Sequence, residues 1–424
     1  METRRNFIRK MTGGGALLAG LRPGTRTTAL SEGTSEAAAI GGGASYRVDN
    51  PYEGVQWNSC RYVLSATHVH VENQEKLDKY YQHFGLRHFP ISNYYPSAPT
   101  YPIGSIRLNQ YAVEQDFPGV VDGKLESGPF RWNDIIEKGP KAWADELPAD
   151  VKARLPFQLG EPIFKNVPGD IIVSPNAEHH SFTNAPLHAC APGSMYASGN
   201  FDVHDVFHTK EHGYAMGTGL NWEDAFRRML DKLLFADGGG ITINHPLWSG
   251  LTFEQVVRML DFDNRVLGIE VYNDTCVTGY GDPYRGWAHQ LWDQVLGTGR
   301  RCLGFFVPDH TIGRGKSMLL VPEFTEHECL RAYRKGAFFG VLDGSGLRFT
   351  HIGLTSDELR VSLNNRAAVR AITDKGITHL GSGPEVVFKI PMGADGTPQI
   401  RYVRVEANDD SSEQLFSQPI RFFV

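Results

Sequence analysis

Between Arg61 and about Val341 the chain repeats one arrangement, a short apolar run followed by a stretch whose apolar residues recur at helical spacing. After the run that ends near Thr67, Leu77, Tyr80, Tyr81 and Phe84 mark a helix face, and Gly85 supplies the stop. A second strand is expected over His88–Tyr94. Asn221 can cap a helix carrying Phe226, Met229, Leu230, Leu233 and Leu234, ended by Gly238-Gly239-Gly240 before the strand Ile241–Asn244. Thr252 with Gln255, and Thr325 with Glu328, have capping-box spacing. The strands Val266–Tyr272 and Cys302–Val307 flank a helix bearing Trp287, Leu291, Trp292 and Val295. Such alternation calls for parallel strands joined by right-handed crossovers, and the number of units predicts closure into a barrel.

Three segments stand outside this rhythm. Residues 1–45 hold Thr3-Arg4-Arg5-Asn6-Phe7-Ile8-Arg9-Lys10 and a weakly apolar Gly13–Leu21 stretch, which read as a twin-arginine export signal and linker. The mature protein is therefore expected in the periplasm or outside the cell. Residues 97–169 are rich in Pro, Gly and aromatics, and a connection of that length in a compact domain points to an ordered cap over the barrel mouth. From 346 to 424, short alternating runs separated by Gly, Asn, Asp or Pro predict a small C-terminal β-sandwich. The barrel domain is then 46–345, with 97–169 inserted.

Composition excludes some classes of partner. A net charge of −6 with no block of like charge offers nothing to neutralise a phosphate backbone, so nucleic acid is not expected as a partner. No stretch after the export signal is long and apolar enough to be a transmembrane helix, so no membrane is expected for the mature form. Cys60, Cys190, Cys276, Cys302 and Cys329 are scattered and odd in number, and read as small apolar residues rather than a disulfide framework.

The chemistry gathers at strand ends. In Leu64-Ser65-Ala66-Thr67-His68-Val69-His70, strand alternation turns His68 and His70 to one side and Val69 into the packing. Further runs lead to Glu178, to His188, to His245 before Pro246, and to Asp309-His310. In a parallel barrel all of these fall at the carboxyl-terminal face, where active sites of that architecture lie. Imidazole and carboxylate together form a ligand set for zinc, manganese or iron.

His68-Val69-His70, Gly85-Leu86, Ala177-Glu178, His188, Asn244-His245-Pro246, Gly268-Ile269-Glu270-Val271-Tyr272-Asn273 and Asp309-His310 together resemble the PHP (polymerase and histidinol phosphatase) superfamily of metal-dependent phosphoesterases, in particular its exported CehA-like metallohydrolases. The resemblance implies a distorted (β/α)7 barrel. It implies one metal ion on His68, His70, Glu178 and Asp309, and a second on Glu178, His188 and His245.

Departures from the pattern narrow this to one or two divalent ions. Ala66 stands where the family usually has Asp, Lys76 where it has a third-metal histidine, and Asn93-Tyr94 where it has an Asp-His pair. Lys76, Asn93 and Tyr94 are then available as contacts to substrate. Asp309 and His310 are adjacent where the family spaces them, which leaves His310 as a candidate general acid. The expected function is a metal-dependent hydrolase acting on an anionic small molecule, a phosphate ester first. Hydrolysis of an amide, carbamate or carboxylic ester, or a catalytically inactive ligand-binding protein, are the alternatives.

Overall fold

The computed structural model describes residues 46–71, 73–92, 106–108, 149, 157–159, 166–180, 182–194, 196, 220–343, 346–410 and 413–423. The expected export signal and linker, residues 1–45, lie outside the described residues. Among the described residues no helix is long and apolar enough to cross a membrane.

The chain starts with β1 (Arg47–Asp49), β2 (Arg61–Ser65), α1 (Gln74–Gln82) and β3 (His88–Pro90). Most of the expected 97–169 cap lies outside the described residues; the described part is the antiparallel pair β4 (Ile106–Leu108) and β5 (Phe157–Leu159), residue 149 and residues 166–169. Next come β6 (Ile172–Ser174), β7 (Glu178–His179) and β8 (Ala189–Cys190), then α2 (Trp222–Asp231), β9 (Ile241–Ile243), α3 (Pro246–Ser249), α4 (Phe253–Leu260) and β10 (Val266–Asn273). A π-helical turn, Thr275–Gly279, leads to α5 (Pro283–Gly286), α6 (His289–Gly297), β11 (Leu303–Val307), β12 (Lys316–Val321), α7 (Glu326–Lys335) and β13 (Phe338–Leu342). Six strands end the chain: β14 (Phe349–Leu354), β15 (Glu358–Thr373), β16 (Gly376–Lys389), β17 (Tyr402–Asn408), β18 (Gln414–Ser417) and β19 (Ile420–Phe423).

The result is a mixed α/β structure with two parallel triads, β2–β3–β6 and β9–β10–β11. They are separated by β7 and β8, which run antiparallel to each other, with β8 antiparallel to β9. Chain length explains the reversal. The 180–188 link is shorter than the dozen or so residues a parallel crossover needs, so β8 has to return beside β7. The same constraint on residues 308–315 turns β12 back, and it pairs antiparallel with β2 and β13. Beyond β13 the sheet continues into β18 and β17, and the long β15–β16 hairpin attaches at β17.

The local signals behind these elements are visible. Asn221 accepts the Asp224 N–H at 2.8 Å and starts α2, although the helix stops at Asp231, before Leu233 and Leu234. Thr252 and Gln255 close a reciprocal capping box on α4, whereas Thr325 only accepts the Glu328 N–H. Phe226, Met229, Val256, Met259, Trp292 and Val295 from α2, α4 and α6 pack on Ile241, Ile243, Ile269 and Val271 of β9 and β10. Gly268 permits the β10–β11 pairing, since a Cβ there would lie 1.9 Å from the Leu303 carbonyl oxygen. Cys190, Cys276, Cys302 and Cys329 are buried, Cys60 is half-buried, and all five are free thiols.

Candidate metal centre

The His68–His70 segment lies just past the end of β2 and holds the two parallel triads together. Val69 forms parallel bridges with Ile91 on one side and Asp309 on the other. The Asp309 N–H donates to the His68 carbonyl at 3.0 Å, and the His70 N–H donates to the Asp309 carbonyl at 3.1 Å. Extended geometry therefore persists there, and Val69 is buried against Leu77, Tyr80 and Phe89. His68 and His70 face the opposite way, with their Nε2 atoms 3.2 Å apart.

Glu178 meets this pair from β7, where its N–H donates to the Ser92 carbonyl at 2.9 Å. Its carboxylate is 2 % exposed and its two oxygens face different imidazoles. Oε2 lies 3.1 Å from His70 Nε2 and 3.4 Å from His68 Nε2. Oε1 lies 2.7 Å from His188 Nδ1 and 3.4 Å from His245 Nε2. Asp309 Oδ1 adds a contact of 3.2 Å to His68 Nε2 and one of 3.5 Å to His70 Nε2. Donor atoms of His68, His70, Glu178 and Asp309 all fall within 4.8 Å of one another, as do those of Glu178, His188 and His245.

Two of these residues sit in the left-handed region, His245 with φ 26° and Asp309 with φ 59°. Neither is glycine, so each conformation costs about 1–3 kcal/mol and is imposed by its surroundings. At Asp309 the bend overrides strand alternation. His310 consequently enters the same mouth and stacks on His70, with ring centroids 3.7 Å apart. His310 (32 % exposed) and His188 (28 %) form the open side, while His68, His70 and Glu178 are enclosed. Next to His188, Trp248 stands edge-on to it and to His245 and stacks on the exposed Tyr280.

Two functional positions had no role assigned from sequence. Glu270 Oε1 is 2.7 Å from His68 Nδ1, and Glu270 Oε2 accepts the His245 N–H and the Asn273 side-chain amide, both at 2.8 Å. The same Asn273 amide nitrogen donates to Asp309 Oδ2 at 3.2 Å. The signal in the sequence was a lone carboxylate inside the otherwise uncharged run Val266–Asn273, every residue of which is buried. Of the remaining candidates, Lys76 lies half-buried in the first turn of α1, where its backbone N–H donates to the Asn73 side chain. Asn93 and Tyr94 lie outside the described residues.

Burial and the clustered charges shift these groups in opposite directions. Burial by itself would depress the His68 pKa, but Asp309, Cys190, Glu270 and Glu178 raise it well above the usual imidazole value. Against the upward push of burial, His68, His188 and His245 hold the Glu178 carboxyl well below its ordinary range. Asp309 is lowered too, with His68 and His310 outweighing burial. Burial and the neighbouring His310 take His70 down to about 4. Burial also lowers His188, whereas the Glu178 and Glu270 carboxylates overcome it and raise His245.

A metal ion fits this point on the residues' own chemistry. Among the described residues, the buried Asp309 Oδ1 has no hydrogen-bond partner, although His68 Nε2 lies 3.2 Å away. An orphaned carboxylate oxygen amid converging imidazole nitrogens is a ligand set for a transition metal.

No protein-family model matches the chain, and no curated protein sequence matches it. A solved structure similar to it is that of a two-domain protein from Bacteroides vulgatus containing a predicted PHP-like metal-dependent phosphoesterase. The two share 12 % sequence identity over 85 % of this chain and 96 % of that one, with a TM-score of 0.39. Too little geometry is shared for any residue to be carried across.

Proposed function

We propose that the chain is a metal-dependent hydrolase of phosphate esters, with one or two ions of zinc, manganese or iron. The observation that carries the reading is the division of Glu178, one oxygen toward His68 and His70 and the other toward His188 and His245. A single buried carboxylate shared by two donor groups is the arrangement that holds a pair of ions. Bound there, such ions would supply acidification of water and neutralisation of charge on the oxygens of an in-line displacement.

In this reading His68, His70, Glu178 and Asp309 form one ligand set, and Glu178, His188 and His245 the other. Ser249 Oγ, 3.1 Å from His245 Nδ1, orients that ring. The open side at His188 and His310 admits an anionic small molecule, and His310 delivers a proton to the leaving oxygen. Lys76, Asn93 and Tyr94 stay as proposed substrate contacts. We read the scaffold as a distorted (β/α)7 barrel of the PHP type, interrupted by β7 and β8, with a β-sandwich over 346–424. Twin-arginine export to the periplasm or beyond is part of the same proposal.

Elemental analysis of the purified protein, combined with turnover of p-nitrophenyl phosphate, bis(p-nitrophenyl) phosphate and p-nitrophenyl acetate, tests this reading. The expected result is one to two equivalents of metal with phosphate-ester hydrolysis lost on chelation. Absence of bound transition metal, even after incubation with each ion, removes the hydrolase reading. Metal with acetate turnover alone replaces phosphorus by carbonyl chemistry, and metal without turnover leaves a ligand-binding protein.

A further inference from the structure

We propose that Glu270 is the positioning residue of the metal centre, holding His68, His245 and Asp309 in place without itself binding metal. The inference rests on the metal-site reading above. Glu270 is 1 % exposed on a strand with no exposed residue, where an unpartnered carboxylate is strongly destabilising. Among the described residues its hydrogen-bond partners are His68 and His245, which present candidate ligands, and Asn273, which reaches Asp309.

The sheet order makes this reach feasible. β10 lies between β9 and β11, so a side chain near its end can touch residues just past the ends of both neighbours. Toward β9, Glu270 Oε2 accepts the His245 N–H and stabilises the left-handed turn that aims the His245 ring. Toward β11 it acts through Asn273. The Asn273 side-chain carbonyl accepts the Cys276 N–H at 3.0 Å, which turns its amide nitrogen to Glu270 Oε2 and Asp309 Oδ2 together. Across the mouth, Oε1 takes the Nδ1 side of His68, leaving the Nε2 lone pair directed at Glu178 and Asp309.

Glu270, His68 and His245 do place donor atoms within 4.8 Å of one another, so direct ligation has to be weighed. Geometry argues against it. Oε1 meets the His68 nitrogen that points away from Glu178 and Asp309, and Oε2 is already covered by two N–H donors.

The test is zinc affinity by chelator competition, stoichiometry at saturation and the absorption spectrum of the cobalt-substituted protein, for wild type, Glu270→Gln and Asn273→Ala. Gln keeps the size but can offer its amide N–H to Nδ1, which favours the imidazole tautomer with its proton on Nε2. Glu270→Gln is expected to bind zinc about 10–100-fold more weakly. It should reach the same number of equivalents and keep the cobalt bands in place, with a smaller affinity loss in Asn273→Ala. Loss of one equivalent at saturation overturns the proposal by making Glu270 a ligand. Unaltered affinity in folded Glu270→Gln, with only a lower melting temperature of the metal-free protein, overturns it by making the role purely structural. If Glu270→Gln fails to fold, Asn273→Ala decides, weaker zinc binding supporting the proposal and unchanged binding overturning it. A wild-type protein that binds no zinc or cobalt defeats the metal reading itself, an outcome distinct from either failure of Glu270.

Discussion

His310 lies flat against His70, with ring centroids 3.7 Å apart and planes 11° from parallel. The contact exists because Asp309 is bent into the left-handed region, which sends two adjacent side chains into one mouth. Their roles then separate. Asp309 Oδ1 is buried beside His68 and His70, while His310 stays partly open to solvent. Asp309→Asn is expected to lose metal. His310→Ala should keep metal and lose turnover by about 10²–10⁴-fold, the span of general acid catalysis. Paired measurements of metal content and kcat check this. A His310→Ala variant that sheds metal as readily as Asp309→Asn would make His310 a ligand.

Glu178 gives the next prediction. Glu178→Gln preserves size but removes the charge and replaces one acceptor by an amide N–H aimed at imidazoles. Both donor groups should weaken together, so metal content is expected to fall at both positions rather than at one. Titration with zinc, followed by elemental analysis, distinguishes this from loss of a single ion. Full metal content and activity in Glu178→Gln would return Glu178 to the status of an ordinary buried acid.

The site was more legible in the sequence than the sheet that carries it. His68 and His70 could be placed on one side because strand alternation is local, and it holds even past the end of β2. Glu178, His188, His245 and Asp309 could be nominated from their positions after apolar runs. Strand direction could not be read in the same way. It depends on whether a link is long enough to cross over, and the 180–188 and 308–315 links return antiparallel. Glu270 went without a role because its partners, His68 and His245, are distant in sequence, and only the β9–β10–β11 order joins them. The His310 position was equally hidden, since it rests on one backbone angle at a non-glycine residue.

Away from the metal centre, His88 sets a pH dependence of stability. It is fully buried, bonded to Ser65 Oγ at 2.9 Å through Nδ1 and to Ser174 Oγ at 2.8 Å through Nε2. Burial takes its pKa down to about 3, against about 6.5 in the unfolded chain. As pH falls, the unfolded state therefore takes up the proton first. The contribution is complete above about pH 6.5 and is lost progressively toward pH 3. By pH 5 the loss amounts to about 2 kcal/mol. His88→Gln should be less stable than wild type at pH 7 but should lose less between pH 7 and 5. Urea midpoints at both pH values measure the difference, and parallel losses in the two proteins would assign the pH dependence to other groups.

Arg404 joins the C-terminal strands to the helix behind the metal centre. It is 2 % exposed on β17 and forms a two-pronged pair with Asp293 of α6, at 2.8 and 2.7 Å. Its guanidinium also lies 4.6 Å over the Trp292 ring and bonds to Glu406. Although burial works against the charge, Asp293 and Glu406 raise the Arg404 pKa above its ordinary value. Arg404→Met removes the cation and leaves Asp293 with only the Tyr402 hydroxyl among these partners, while Glu406 keeps Arg370. Because Asp293 keeps 28 % of its side chain exposed, water can take over part of its charge, so the loss is expected at about 1–3 kcal/mol, and Arg404→Lys should recover only part because ammonium cannot reproduce the fork. Replacing Asp293 by Asn in the Arg404→Met background should cost less than the two single changes added together. Because α6 packs on β10 and β11, whose ends present Glu270 and Asp309, Arg404→Met should lower the temperature of metal release and of tryptophan unfolding by the same amount. Metal release at the wild-type temperature, with tryptophan unfolding shifted down, would show that the C-terminal strands unfold independently of the site.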